Sequence, residues 1–374
     1  MIKRLIFDHI QQRLFKKKVI LLFGPRQVGK TTLLKKIASE CSEPFILLNG
    51  DEPDIRELFI AANSTVLKNL FGSNKLILID EAQRIEQIGL KLKLAFDNIP
   101  GIQIIATGSS SFELANMANE PLTGRKFEYH LYPFSFEELA SHNNELEEKR
   151  LLNERLIYGS YPDVVNNPDN KVEILNTLTN SYLYKDLFLI DGIKKSTLFE
   201  KLAKALALQL GQEVSYNELA QLLGVDKNTV EKYIDLMEQA YIIHKLPTLS
   251  RNVRNELKKG KKIYFYDNGI RNAIIGNFTN IELRTDKGAL WENYLISERK
   301  KCNEYHNKYG SYYFWRTSQQ QEIDYIEEID GIMHTYEFKW SPTKSGRIPL
   351  TFANSYPSNS FKTINTSNYP EFLK

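Results

Sequence analysis

Cysteine is scarce in this 374-residue chain: Cys41 and Cys302 stand far apart, and neither belongs to a Cys-x-x-Cys pair. A disulfide framework and a cysteine zinc site are thereby excluded, and a reducing cytoplasm is the expected setting. Long apolar runs are missing too. No stretch reaches the roughly 18 apolar residues of a membrane span. The run Val19 to Phe23, which follows Lys16, Lys17 and Lys18, is too short for a secretory signal. Neither sign of charge dominates. With 49 basic residues against 46 acidic ones the net charge is +3, so no global field draws the chain to nucleic acid and any such contact must come from a local patch. Internal repeats and low-complexity tracts are absent as well. These absences leave a soluble globular protein with no membrane partner, and a composition 42% hydrophobic and 25% charged fits one.

The length leaves room for two or three compact units, and the pattern changes near residue 150. Before it, Val19 to Phe23, Phe45 to Leu48, Leu76 to Ile79 and Ile102 to Ala106 are short hydrophobic runs alternating with helical stretches. Parallel strands covered on both faces look like this, so an α/β sheet is expected. From about 151 to 210 the spacing is helical, and a short helical unit follows to about 240. Strands return after 262. Asp330-Gly331, between Ile323 to Ile326 and Met333 to Trp340, predicts a hairpin. The expected divisions are 1–150, 151–200, 201–264 and 265–374.

The sharpest motif is Gly24-Pro25-Arg26-Gln27-Val28-Gly29-Lys30-Thr31, a GxxxxGK[ST] match between an expected strand and an expected helix. Glycine lets successive backbone N–H groups face phosphate oxygens, and the helix N-terminus adds positive potential. Lys30 would hold the β and γ phosphates of ATP. Thr31 would place its hydroxyl on Mg²⁺, and Thr32 would support the helix start or the α phosphate. Leu76-Ile77-Leu78-Ile79 then delivers Asp80 and Glu81 to a strand end. Asp80 is the expected Mg²⁺ ligand, because that ion takes hard oxygens, and Glu81 the general base for the attacking water. In Thr107-Gly108-Ser109, Ser109 is the first candidate to sense the γ phosphate and Thr107 the second; a plain helix-capping turn is the alternative. Asn49 is a candidate to restrain Glu81. Arg125 is a candidate arginine finger, acting in its own subunit or a neighbour, or else a solvated arginine.

Together with Asp80-Glu81-Ala82-Gln83-Arg84 and Thr123-Gly124-Arg125, these motifs resemble prokaryotic AAA-type ATP-binding proteins that carry a C-terminal domain of unknown function. Tyr132-Pro133-Phe134-Ser135, Tyr158-Gly159-Ser160-Tyr161-Pro162 and Tyr264-Phe265-Tyr266-Asp267-Asn268-Gly269 extend the likeness over most of the chain, with Ser160 where a second glycine is expected. The resemblance implies an AAA-like P-loop sheet domain, a helical lid, a winged helix and a C-terminal α/β restriction-endonuclease-like domain.

Residues 215 to 237 suit a winged helix. Ser215 and Glu218 form an S-x-x-E capping box, Leu219, Leu222 and Leu223 give an apolar face, Gly224 turns the chain and Asp226 caps the next helix. That helix carries Glu231, Asp235 and Glu238 against Lys227 and Lys232, a poor match to phosphate. Positive charge gathers downstream at Arg251, Arg254, Lys258, Lys259, Lys261 and Lys262, where a wing could touch a DNA backbone.

Near the C-terminus, Glu292 on a helix, Asp324 on one strand and Glu337-Phe338-Lys339 on the next resemble the PD-(D/E)xK nuclease signature. Strand alternation puts Glu337 and Lys339 on one face. Asp324 and Glu337 would bind Mg²⁺, Glu292 would assist, and Lys339 would help the attacking water. E-x-K alone recurs about once per chain by chance, so the added Asp324 and Glu292 carry the case. Two readings stay open: an ATPase that gates a metal-dependent DNA nuclease, or an ATP-driven switch or assembly protein whose C-terminal domains only bind a partner, DNA or protein; an Arg125 finger acting in a neighbour would make the protein a homo-oligomer.

Overall fold

The computed structural model describes residues 2–60, 62–108, 121–181, 196–250, 260–317, 319–357 and 359–374. The chain packs as two units, 1–133 with 239–241, and 134–238 with 242–374. By packing, the first unit ends at Pro133, some residues before the expected division near 150. Phe134 and Phe136 explain the shift: the Phe134 N–H donates to the Ser160 carbonyl at 2.9 Å, and the Phe136 ring meets Tyr369 edge-on at 5.4 Å, both inside the second unit. The divisions expected near 200 and 265 fall within that unit.

The first unit is built on five parallel strands in the order β2-β3-β4-β1-β5, where β1 is Val19–Phe23, β2 Phe45–Asn49, β3 Leu76–Asp80, β4 Gln103–Gly108 and β5 Lys126–His130. All of β1, β3 and β4 is buried, which is why β1 and β3 read as unbroken apolar runs and β4 as one interrupted only by Gln103 before its functional end. Edge strand β2 is more open, with Phe45 48% exposed. The other edge, β5, is a strand that the sequence expectations omit, although Lys126, Glu128 and His130 alternate with Phe127 and Tyr129 as an exposed edge strand does. Since β4 lies between β1 and β3, the residues that follow all three strands emerge side by side at the carboxyl edge of the sheet, where open α/β sheets bind ligands.

In the second unit, three antiparallel strands run β6-β8-β7, with β6 Glu213–Val214, β7 Ile243–Pro247 and β8 Lys261–Phe265. Helices Tyr216–Leu223 and Lys227–Gln239 lie between β6 and β7 in sequence. The Ser215 hydroxyl accepts from the Glu218 N–H, Gly224 is left-handed at φ 65°, and Asp226 accepts from the Thr229 N–H at 2.9 Å, so start, turn and restart fall as expected. Leu222 does not join the apolar face: it is 68% exposed. Leu219, Ala220 and Leu223 centre the covered face, and at about 100° per residue Leu222 points well off it.

A second sheet runs β12-β11-β10-β9, with β9 Ser311–Arg316, β10 Glu322–Ile329, β11 Ile332–Phe338 and β12 Asn359–Ile364. Its pairs are antiparallel except β11 with β12, which are parallel and joined through helix Leu350–Ser355. The expected hairpin is present. Ile329 pairs with Ile332 across Asp330 at φ 52° and Gly331 at φ 78°, the two left-handed residues of a tight two-residue turn.

Two of the sequence motifs lock to each other in this unit. A Cβ on Gly159 would lie 1.9 Å from Asp267 Oδ1, and one on Gly269 would lie 2.2 Å from the Tyr158 carbonyl oxygen. The Ser160 N–H donates to Asp267 Oδ2 at 2.7 Å. Ser160 makes that contact through its backbone N–H, and its hydroxyl lies 3.5 Å from the same oxygen, so a serine is accommodated where a second glycine is expected.

Candidate functional site

The first unit gathers its polar residues at the carboxyl edge of β1, β3 and β4. Gly24 has φ +153°, and an added Cβ would meet the Leu131 carbonyl oxygen at 2.1 Å, so only glycine lets the loop curl this close to the chain after β5. Gly29, left-handed at φ 94°, starts helix Lys30–Glu40. Lys30 is buried, and its ammonium donates to the carbonyls of Gly24 and Pro25, each at 2.9 Å, inside the curve of the loop.

Hydrogen bonds then run from the loop across the sheet edge. The Thr31 hydroxyl donates to Asp80 Oδ2 at 2.5 Å, the Thr107 hydroxyl donates to Asp80 Oδ1 at 2.5 Å, and the Glu81 N–H donates to Thr107 Oγ1 at 3.1 Å. Glu81 is left-handed at φ 46°, and the short turn Ala82–Arg84 that it opens lets Gln83 Nε2 donate to Glu81 Oε2 at 2.6 Å. The adjoining Thr31 hydroxyl and Asp80 carboxylate are hard oxygens, a donor set that fits Mg²⁺.

Lys30, Thr31, Asp80, Glu81 and Thr107 are thus brought together, while Ser109 lies outside the described residues. Asn49 does not restrain Glu81. Its Oδ1 accepts from the Asp51 N–H at 3.0 Å, and Gln83, which sequence reasoning passed over, takes the glutamate. Its signal was the amide two residues after Glu81. Arg84 pairs with Asp51 at 3.2 Å. Arg125 ion-pairs with Asp97 at 3.1 Å, and its carbonyl accepts from the Val19 N–H at 2.8 Å, at the amino end of β1. The P-loop follows the opposite end of that strand, about five residues at 3.3 Å each away. A finger role within the same copy is excluded by that placement.

The C-terminal candidates behave differently. Glu337 and Lys339 share a face as expected, with Nζ to Oε1 at 2.5 Å, while Tyr336 and Phe338 pack on Phe372 at 4.8 and 5.7 Å. Asp324 Oδ2 accepts from the Phe338 N–H at 2.7 Å. Glu292 lies on helix Lys287–Tyr305, where its Oε1 accepts from Tyr264 at 2.5 Å and from Lys262 at 3.0 Å. Lys262 also meets Glu322 at 2.7 Å. Burial first, then the charge of Glu292, raises the Asp324 pKa to about 7. Burial lowers the Lys262 pKa, but Glu292, Glu322 and Asp324 outweigh it and hold that ammonium above its ordinary value.

The metal-ligand set expected from Glu292, Asp324 and Glu337 is not assembled. Among the described residues no three His, Cys, Asp or Glu side chains converge on a metal position. Each of these carboxylates already has a donor of its own, Lys262 and Tyr264, the Phe338 N–H, and Lys339 respectively.

Residues 16–140 match the family model described as an AAA domain, 149–280 a domain of unknown function (DUF8612) and 287–368 another (DUF4143). The first unit carries an AAA-type P-loop domain. An uncharacterized protein of Mycobacterium tuberculosis is 26% identical over 341 residues, covering 90% of this chain and 73% of that protein. ATP-dependent zinc metalloprotease FtsH 1 of Methylacidiphilum infernorum is 34% identical over 86 residues, covering 21% of this chain and 13% of that one. A chain in the structure of Drosophila ORC bound to AT-rich DNA and Cdc6 covers 72% of this chain and 90% of its own at 12% identity, with a TM-score of 0.27, too low to carry an argument. No described helix is long and apolar enough to cross a membrane.

Proposed function

We propose that the first unit binds and hydrolyses ATP with magnesium, and that this activity drives a second unit that engages DNA. The supporting observation is the hydrogen-bond chain Thr31–Asp80–Thr107–Glu81, closed by Gln83 on the Glu81 carboxylate. Loop residues 26 to 29 offer backbone N–H groups to the phosphates, and Lys30 exchanges the Gly24 and Pro25 carbonyls for phosphate oxygens. Thr31 and Asp80 hold the magnesium ion, which when bound neutralises charge on the phosphates. Glu81 accepts the proton of the attacking water, while Gln83 fixes one of its carboxylate oxygens. Lys30→Ala should lose nucleotide binding, and Glu81→Gln should bind normally but turn over roughly 100-fold more slowly. Unchanged turnover in Glu81→Gln would move the base elsewhere.

We read the second unit as a winged helix followed by a PD-(D/E)xK-like fold. Helix Ser196–Leu208, β6, two helices, β7 and β8, with sheet order β6-β8-β7, support the first; helix, β9, β10, β11, helix, β12 supports the second. Lys245 pairs with Asp235 at 2.5 Å and Glu238 at 2.8 Å, so the acidic end of helix Lys227–Gln239 is partly neutralised. Its exposed start carries Lys227, Asn228, Glu231 and Lys232, a better phosphate partner than the bare sequence suggested. Arg251, Arg254, Lys258 and Lys259 lie outside the described residues. Changing Lys227 and Lys232 together to alanine should weaken DNA binding and flatten its salt dependence; an unchanged salt slope would remove this helix from the interface.

A binding role without cleavage is favoured by the cation already lodged at Glu292 and Glu322. Plasmid cutting compared between wild type and Lys339→Ala, with and without ATP, separates the two: equal absence of cutting leaves binding alone. An Arg125 finger, on this reading, serves only a neighbouring copy in a homo-oligomer.

A further inference from the structure

Lys262 sits on β8, in the sheet of the winged-helix reading, yet its side chain reaches the acidic residues of the other sheet. It is 2% exposed, with Nζ 3.0 Å from Glu292 Oε1, 2.7 Å from Glu322 Oε1 and 5.4 Å from the centre of the Phe314 ring. Tyr264, two residues along and so on the same face of β8, donates to the same Glu292 oxygen. A buried ammonium persists only where opposite charge compensates its lost hydration. Here two carboxylates, an aromatic face and the field of Asp324 do so.

We propose that Lys262 is the resident cation of the C-terminal acidic site and closes it to divalent ions. The ammonium already holds one oxygen each of Glu292 and Glu322, and the charge of Asp324 acts on it as well. An ion arriving beside Lys262 would meet like charge at contact distance in a poorly hydrated place, where repulsion is strong. The tether makes this occupant hard to displace, because it is always present at high effective concentration. The site takes its name from the nuclease-like reading of residues 265–374, while its occupancy by Lys262 depends on the side chains alone.

The test is Mn²⁺ binding by nucleotide-free full-length protein, followed by electron paramagnetic resonance of the free ion. Any background from the first unit is common to all variants. Wild type and Asp324→Asn should bind Mn²⁺ alike. Lys262→Met should gain one Mn²⁺ site that wild type lacks, and Lys262→Met with Asp324→Asn should lose it. Lys262→Arg, which keeps a cation, should match wild type. A wild-type site sensitive to Asp324→Asn would overturn the proposal, as would a folded Lys262→Met that gains none. Should Lys262→Met fail to fold, the comparison of wild type with Asp324→Asn decides alone. Because occupancy is read and not cleavage, a protein that never cuts DNA sinks the nuclease reading without touching this one.

Discussion

Gln83 Nε2 donates to Glu81 Oε2 at 2.6 Å, and the turn that allows it begins with Glu81 itself in the left-handed region at φ 46°. A carboxylate with one oxygen held this way has a single face left for water. Gln83→Ala should therefore lower kcat for ATP about tenfold while leaving KM and nucleotide affinity within about twofold, because it frees the base without touching the phosphate cradle. Steady-state hydrolysis beside a fluorescent-nucleotide titration checks this. A matched fall in affinity would mean that Gln83 supports the fold of the site, not the aim of Glu81.

Thr107 is fully buried and serves two partners at once, donating to Asp80 and accepting from the Glu81 N–H. Thr107→Val keeps the shape and leaves both partners without it, a loss of about 1–3 kcal/mol in stability. It should also raise the Mg²⁺ concentration for half-maximal hydrolysis several-fold, since Asp80 is no longer fixed toward Thr31. Thr107→Ser should restore both quantities. A Mg²⁺ requirement unchanged in the valine variant would separate Thr107 from the metal position.

Gly24 and Gly29 both have positive φ, but they need glycine for different reasons. At Gly24 an added Cβ strikes the Leu131 carbonyl oxygen at 2.1 Å, whereas at Gly29 the nearest atom is Thr32 Cβ at 4.0 Å. Gly29→Ala should cost about 1–2 kcal/mol of backbone strain. Gly24→Ala adds a clash between rigid backbone segments and should cost more, with loss of nucleotide binding. Thermal melts of the two variants test the order, and a smaller loss for Gly24→Ala would contradict the packing against Leu131.

Legibility tracked how local each cause was. Strands β1 and β3 could be read because burial on both faces leaves an unbroken apolar run, Asp80 because it ends one, and Thr31 because it closes the glycine motif that follows the other. The turn at Asp330-Gly331 could be read because two left-handed residues favour those side chains. Strand β5 alternates as an edge strand does, but over only five partly exposed residues, and no apolar run marks it. Gln83 was hidden because its bond depends on one backbone dihedral at Glu81. Phe134 and Phe136 looked like the tail of the first domain until their partners, Ser160 and Tyr369, were known. Lys262 is the deepest case. Counted with a basic run near the wing, it is taken inward by Glu292, 30 residues along the chain, and by Glu322 on β10.

His244 gives the second unit an acid sensitivity of predictable sign. Its imidazole is wholly buried on β7, with Nε2 3.2 Å from the Ser297 hydroxyl, which itself donates to the Phe265 carbonyl at 2.7 Å. Ser297 is therefore the acceptor, and the neutral ring carries its proton on Nε2. Burial first, then the charges of Lys300 and Lys301, pushes the pKa well below 6.5. The unfolded imidazole takes up a proton as pH falls through about 6.5, whereas the folded one does not. The unfolded state thus binds more protons there, and stability is present above that pH and lost below it, by at most about 1.4 kcal/mol per unit. His244→Gln keeps an amide donor for Ser297 and cannot titrate. Urea unfolding at pH 7.5 and 5.5 should show wild type losing on the order of 1 kcal/mol more than His244→Gln. Equal losses in the two proteins would mean that the ring is protonated in the fold, which its lysine neighbours forbid.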